Sequence, residues 1–167
     1  MALSMYEASV PVFQARLKSL TNVLAKGEAN AEDRKIEPAV FLTARLAPDM
    51  LSLIKQVQIA TDHAKGAPSR LAGRESPRFV DDEQSFAELK ARIDKTLDYL
   101  DTFTPEDLEG SEARIVEIKT GSRQLSFEGP KYLLNFAMPN FYFHVTSAYA
   151  ILRHNGVPLG KPDFLSS

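Results

Sequence analysis

No cysteine occurs among the 167 residues. Disulfides, thiolate metal sites and cysteine nucleophiles are therefore excluded. No GxSxG stretch suggests a serine nucleophile, although composition alone leaves serine and threonine chemistry open. There is no excess of positive charge: 20 Lys and Arg stand against 22 Asp and Glu, a net charge of −2. A nucleic-acid binder is usually basic, so no nucleic-acid partner is expected. The longest apolar stretches are interrupted by Pro139, His144 and Arg153. None approaches the roughly 20 apolar residues of a membrane span, so no membrane partner is expected. The opening MALSMYEASVPVF has neither a basic n-region nor a long apolar h-region, which argues against a signal peptide. The expectation is a soluble, cytoplasmic protein. "GAPSRLAG" lacks the preceding strand and the lysine of a phosphate-binding loop. No internal repeat or low-complexity tract is present.

What remains is an ordinary folded composition, 44% hydrophobic and 25% charged. The length suits one compact domain with one core, spanning 1–167. Tyr6, Val10, Phe13, Leu17, Leu20 and Leu24 recur at spacings of four and three, which predicts a first long helix from about Ser4 to Asn30. Ser4 and Glu7 would form its capping box, and Pro11 would kink it. "PAVFLTARLAPD" reads as a short helical piece. A second long helix is predicted from Pro48 to Leu71, with Met50, Leu53, Ile54, Val57, Ala60 and Ala64 on its apolar face. A third runs from about Asp82 to Phe103. Its pairs Glu88–Arg92 and Lys90–Asp94 read as a solvated outer face. "TPEDLEG" is one capped turn.

The period then changes to two. "ARIVEIKTGSRQLSFEG" predicts a β-hairpin turning at Gly121–Ser122, with Val116 and Ile118 on one side and Ile115, Glu117 and Lys119 on the other. A short helix follows over Lys131 to Ala137, and Pro139 opens or kinks a fourth long helix. That helix stops at Asn155–Gly156. Four long helices with a hairpin between the third and fourth make an all-α four-helix bundle.

The candidate chemistry lies in "NFYFHVTSAYAILRHNG", residues 140–156, which holds His144 and His154. A metal-binding helix would carry a second histidine one turn after the first; Ala148 stands there. His154 lies ten residues on, about 15 Å along the axis, and reads as a C-terminal cap. Arg153 could orient an anionic or polar ligand at the bundle end. On the second helix, Asp49, Gln56 and His63 are spaced by seven and share one stripe, drifting about 20° per step. Asp49 and His63 are about 21 Å apart along the axis, so one site cannot use both. Gln56 is the member best placed to face a histidine on helix four, while His63 reads as a flank at the solvent boundary. The aromatics Phe141, Tyr142, Phe143 and Tyr149 form a girdle wide enough to face a second chain.

"LSMYEASVPVFQARLKSL", "RLAPDMLSLIKQVQIATDHAKGA" and "NFYFHVTSAYAILRHNGVPLGKPDFL" together resemble a bacterial domain-of-unknown-function family grouped with the DinB/YfiT-like metalloenzymes. The resemblance spans Leu3 to Leu165. It implies a DinB-like bundle of up-down-down-up type, often a homodimer. It also implies a divalent metal, nickel or zinc, held by three histidines on helices two and four, used in hydrolytic or thiol-transfer chemistry. Of those ligand positions, His144 matches the first on helix four and Ala148 fails the second. His63, Gln56 or Asp49 would stand for the ligand on helix two. The expected reading is a small-molecule-binding protein with a degenerate metal site at His144, with Gln56, Asp49, Tyr149 and Arg153 as further ligand-binding candidates. The alternatives are a metal-dependent hydrolase or thiol transferase, and a non-catalytic dimeric stress-related scaffold.

Overall fold

The computed structural model describes residues 3–166; Met1, Ala2 and Ser167, the ends of the expected domain and of the N-terminal leader reading, lie outside them. The Ser4–Glu7 capping box forms, with Glu7 N–H donating to Ser4 Oγ and Ser4 N–H to Glu7 Oε2, both at 3.1 Å. It closes a separate turn rather than starting the long helix. Helix α1 begins at Val10 and runs to Asp33 (Val10–Asp33), so Pro11 sits in its first turn. A proline N–H is not needed there, and the expected kink has no cause.

Helix α2 spans Pro38–Leu42. The second long helix, α3, spans Leu53–Ala72 and not Pro48 onward. Residues 48–50 turn and Ser52 is extended, and the Leu53 N–H donates to Ala44 O at 3.1 Å. Gly73, at φ 69°, ends α3 in the left-handed conformation that glycine adopts without strain. Helix α4, Phe86–Leu100, also starts later than expected. Ser85 caps it by accepting the Glu88 N–H, and Glu88 accepts the Gln84 N–H in return. Residues 73–85 thus form an extended strap between α3 and α4.

The expected solvated face of α4 needs correction at Arg92. Its side chain is 2% exposed. The guanidinium donates to Thr61 Oγ1 (2.7 Å), Val80 O (3.0 Å), Glu83 Oε1 (2.9 Å) and Asp62 Oδ1 (3.1 Å), and pairs with Asp81 at 3.1 Å. Arg92 does not serve Glu88; it ties the strap to α3. Lys90 likewise pairs with Glu28 of α1, at 2.5 Å.

The hairpin forms as the period of two requires: β1 Ile115–Thr120 pairs antiparallel with β2 Arg123–Glu128, in register Thr120↔Arg123 and Val116↔Phe127. Val116 and Ile118 are buried and Ile115 is exposed. From Gly129 the chain is helical without a break: α5 Gly129–Tyr132, a π-helical turn Leu133–Ala137, then α6 Met138–His154. Pro139 lies in the first turn of α6 and so opens it, but the short helix before it is continuous with α6 rather than separate. Helix α7, Lys161–Leu165, lies along α1, where Asp163 meets Lys26 at 2.5 Å.

The long helices meet face to face. Gln14 of α1 reaches Asp101 just past the end of α4, and Glu28 reaches Lys90, so these two helices run antiparallel. Thr61 meets Arg92 and Ser69 meets Tyr99, so α3 and α4 run parallel. Phe13 and Phe141 pack edge to face at 4.9 Å in the core, among Leu17, Leu53, Val57, Phe86 and Leu89, all at most 1% exposed. Burial of such side chains contributes roughly 1.5–3 kcal/mol each. No helix among the described residues is long and apolar enough to cross a membrane.

Candidate functional site

Helices α3 and α6 are antiparallel, which brings residues late in one to residues early in the other. Gln56 and His144 face each other near one end. His63, two turns further along α3, meets Phe136 and His144. The rings of His63 and His144 stack, with centroids 6.0 Å apart and planes 15° apart.

Hydrogen bonding assigns the His144 tautomer. Gln56 is 1% exposed. Its Nε2 donates to Leu51 O at 3.2 Å, and a carbonyl can only accept. Gln56 Oε1 therefore faces His144 Nδ1, at 2.6 Å. An amide oxygen only accepts, so His144 Nδ1 carries the proton and Nε2 keeps its lone pair. Among the described residues, the buried polar atoms without partners are Gln58 Oε1, Ser76 Oγ and Ser111 Oγ. No ring nitrogen of either histidine is among them.

Both imidazoles are neutral at neutral pH. Burial, then the neighbouring His144, then Arg70, bring His63 down to about 4, against an opposing pull from Asp62. Burial lowers His144 as well. Burial is the leading cause for both rings, and for His63 the neighbouring His144 adds to it.

A cleft of about 300 Å³ opens on His63, with His144 behind it. Ile118 and Thr120 of the hairpin form one wall. Phe136 and Asn140 form another, on either side of the junction between the π turn and α6. A π turn shifts the helical register by one residue and is found often at functional sites. Here Asn140 Nδ2 donates to Phe136 O at 2.7 Å, supplying a side-chain donor to a carbonyl beside the irregular turn. Asp62 and Arg70 complete the lining. Asp62 is engaged by Lys65 at 2.8 Å and Arg92 at 3.1 Å. Arg70 donates to the hydroxyl of Tyr132 at 3.2 Å, and burial raises the pKa of that phenol.

The structure thus brings together His144, Gln56 and His63. The others are elsewhere. Asp49 is exposed in the turns before α3. Tyr149 packs edge to face on Phe164 at 5.9 Å. Arg153 and His154 are exposed in the last turn of α6. Sequence reasoning missed Arg70, although it continues the same seven-residue spacing: the stripe that lines the site is Gln56, His63, Arg70, one step later than Asp49, Gln56, His63.

The side chains do not fit the three-histidine metal centre of the wider superfamily. A catalytic zinc site of that kind takes three protein ligands. Ala148 stands at the second helix-four position and is fully buried. No group of three His, Cys, Asp or Glu suited to a metal occurs among the described residues.

These features define a mostly helical protein with a small antiparallel hairpin and a histidine-lined cleft between two long helices. The chain belongs to the family described as domain of unknown function DUF1993, whose model matches residues 5–165. It is also similar to a solved structure, a DinB family member protein from Shewanella denitrificans. The two share 40% identity with a TM-score of 0.88, over 98% of this chain and 92% of that one. The family therefore falls within the DinB-like superfamily. No curated protein matches the chain.

Proposed function

We propose that the chain binds a small molecule in the cleft between α3 and α6, with His63 as the side chain that meets it. In this reading the four long helices form an up-down-down-up bundle, supported by the antiparallel α1–α4 and α3–α6 contacts and the parallel α3–α4 contact. The stacked pair of neutral histidines at the cleft carries the proposal. His63 has no side-chain hydrogen bond among the described residues, so its ring offers one donor and one acceptor to a ligand. His144 and Gln56 hold it in place from behind. A base that loses its proton near 4 is poorly matched to proton abstraction at pH 7, which favours binding over acid–base catalysis.

The test is a small-molecule library screened by NMR of the histidine side chains. A ligand should shift His63 first and lose its effect in His63→Ala. If instead the purified, untagged protein carries one equivalent of nickel or zinc, released in His144→Ala, the metal-enzyme reading replaces this one.

The homodimer also remains a proposal. It would use the open apolar groove of Leu46, Met50, Tyr142 and Phe143, where Phe143 is 56% exposed.

A further inference from the structure

We infer that the cleft is selective for a carboxylate, bound by Arg70. The inference rests on the small-molecule reading above and adds the chemical class of the ligand. It starts from the charges lining the cleft. Asp62 is the anion there, and two cations, Lys65 and Arg92, already engage it. Arg70 is the cation there, and among the described residues no carboxylate pairs with it. His63 and Asn140 are neutral, and Ile118 and Phe136 are apolar. The unmatched charge of the cleft is therefore one positive guanidinium.

That guanidinium lies over Gly66. A Cβ at residue 66 would lie 2.5 Å from Arg70 Nη1 and 3.5 Å from its Cζ. Arg70 thus folds back along the helix over Gly66, one turn toward its N-terminus and toward His63. The Tyr132 hydroxyl holds it there through a single hydrogen bond at 3.2 Å. Arginine has five N–H donors, so most of the fork stays open. A planar guanidinium binds a planar carboxylate through two parallel hydrogen bonds. One cation matches a monoanion, whereas a phosphate dianion would leave charge uncompensated. The neutral His63 ring beside it adds one more donor to the bound anion.

The test titrates acetate, propionate and benzoate, each against its neutral amide, following the His63 side chain and Phe136 by NMR. The carboxylates should saturate and bind about tenfold or more tighter than the amides. Arg70→Gln should abolish that preference. A bound carboxylate should also raise the titration midpoint of His63. Equal binding of acids and amides, unaltered in Arg70→Gln, overturns the carboxylate inference while leaving small-molecule binding intact. Tighter binding of inorganic phosphate overturns it too. If neither acids nor amides move His63, the carboxylate inference fails, and the library screen decides separately whether the cleft binds anything.

Discussion

Gln56 Oε1 lies 2.6 Å from His144 Nδ1, and Leu51 O fixes which end of the amide does so. One backbone carbonyl thereby sets the tautomer of a histidine on another helix. Gln56→Leu removes the acceptor and leaves a buried N–H without a partner. The expected cost is about 1–3 kcal/mol in urea denaturation. The ring nitrogen shifts of His144 should change from a single tautomer to a mixture; unchanged shifts would contradict the assignment.

Stability should fall on the acid side. Folded His63 takes its proton near 4, whereas an unfolded histidine does so near 6.5. Between those values the unfolded chain binds more protons, so stability rises with pH across that window and falls as the solution is acidified through it. The contribution is complete above 6.5. The expected loss by pH 4 is on the order of 2 kcal/mol. His63→Gln cannot titrate and should flatten the slope; thermal melts from pH 4 to 8 that stay parallel for both proteins would refute the link.

Arg92 should be the most sensitive charge in the molecule. Arg92→Met leaves Glu83, whose side chain is only 10% exposed, without its charge partner and with Gln58 as its remaining donor, and releases the strap. A buried pair broken on one side typically costs 3–5 kcal/mol. Asp62 and Asp81 are nearly half exposed and re-solvate, so about 3 kcal/mol is expected here. Proteolysis within residues 73–85 should accelerate with it. Arg92→Lys keeps the charge but not the fork, and should fall between the two.

Phe143→Asp tests the proposed dimer. Light scattering at micromolar concentration should give a dimer for the parent and a monomer for the variant, with the helical signal unchanged. A monomeric parent ends that proposal.

The helix seams and the hairpin were legible in the sequence because their periods are imposed by burial. Phe86, Leu89, Ile93 and Leu100 are all buried, as are Val116 and Ile118. Helix starts were less legible. Pro48 reads as a first-turn residue, yet residues 48–50 turn instead, and Asp49 leaves the stripe with them. The same stripe still singled out Gln56 as the partner of a histidine on helix four. It did not place His63 against His144 because a half-apolar stripe says nothing of which level of the opposite helix it meets. Antiparallel pairing decides that. Arg92 was misread because Glu88, four residues before it, offers the local partner that a helix surface would use. The true partners lie 9 to 31 residues away, on the strap and on α3.

The parallel run of α3 and α4 also limits how the chain can vary. Arg92 stands beside Thr61, so the start of α4 lies level with about Lys55. The backbone must therefore return about 26 Å before α4 can begin. Thirteen residues, 73–85, make that return, with a maximum reach of about 45 Å. The strap has slack, but not much: Lys55 already meets Asp81 at 3.2 Å on the way. Lengthening it should cost little, since loop entropy grows slowly with length. Removing more than about four residues would pull Val80, Asp81 and Glu83 off the guanidinium before the chain could span the gap. Among homologous chains, insertions in this segment should be common and deletions rare.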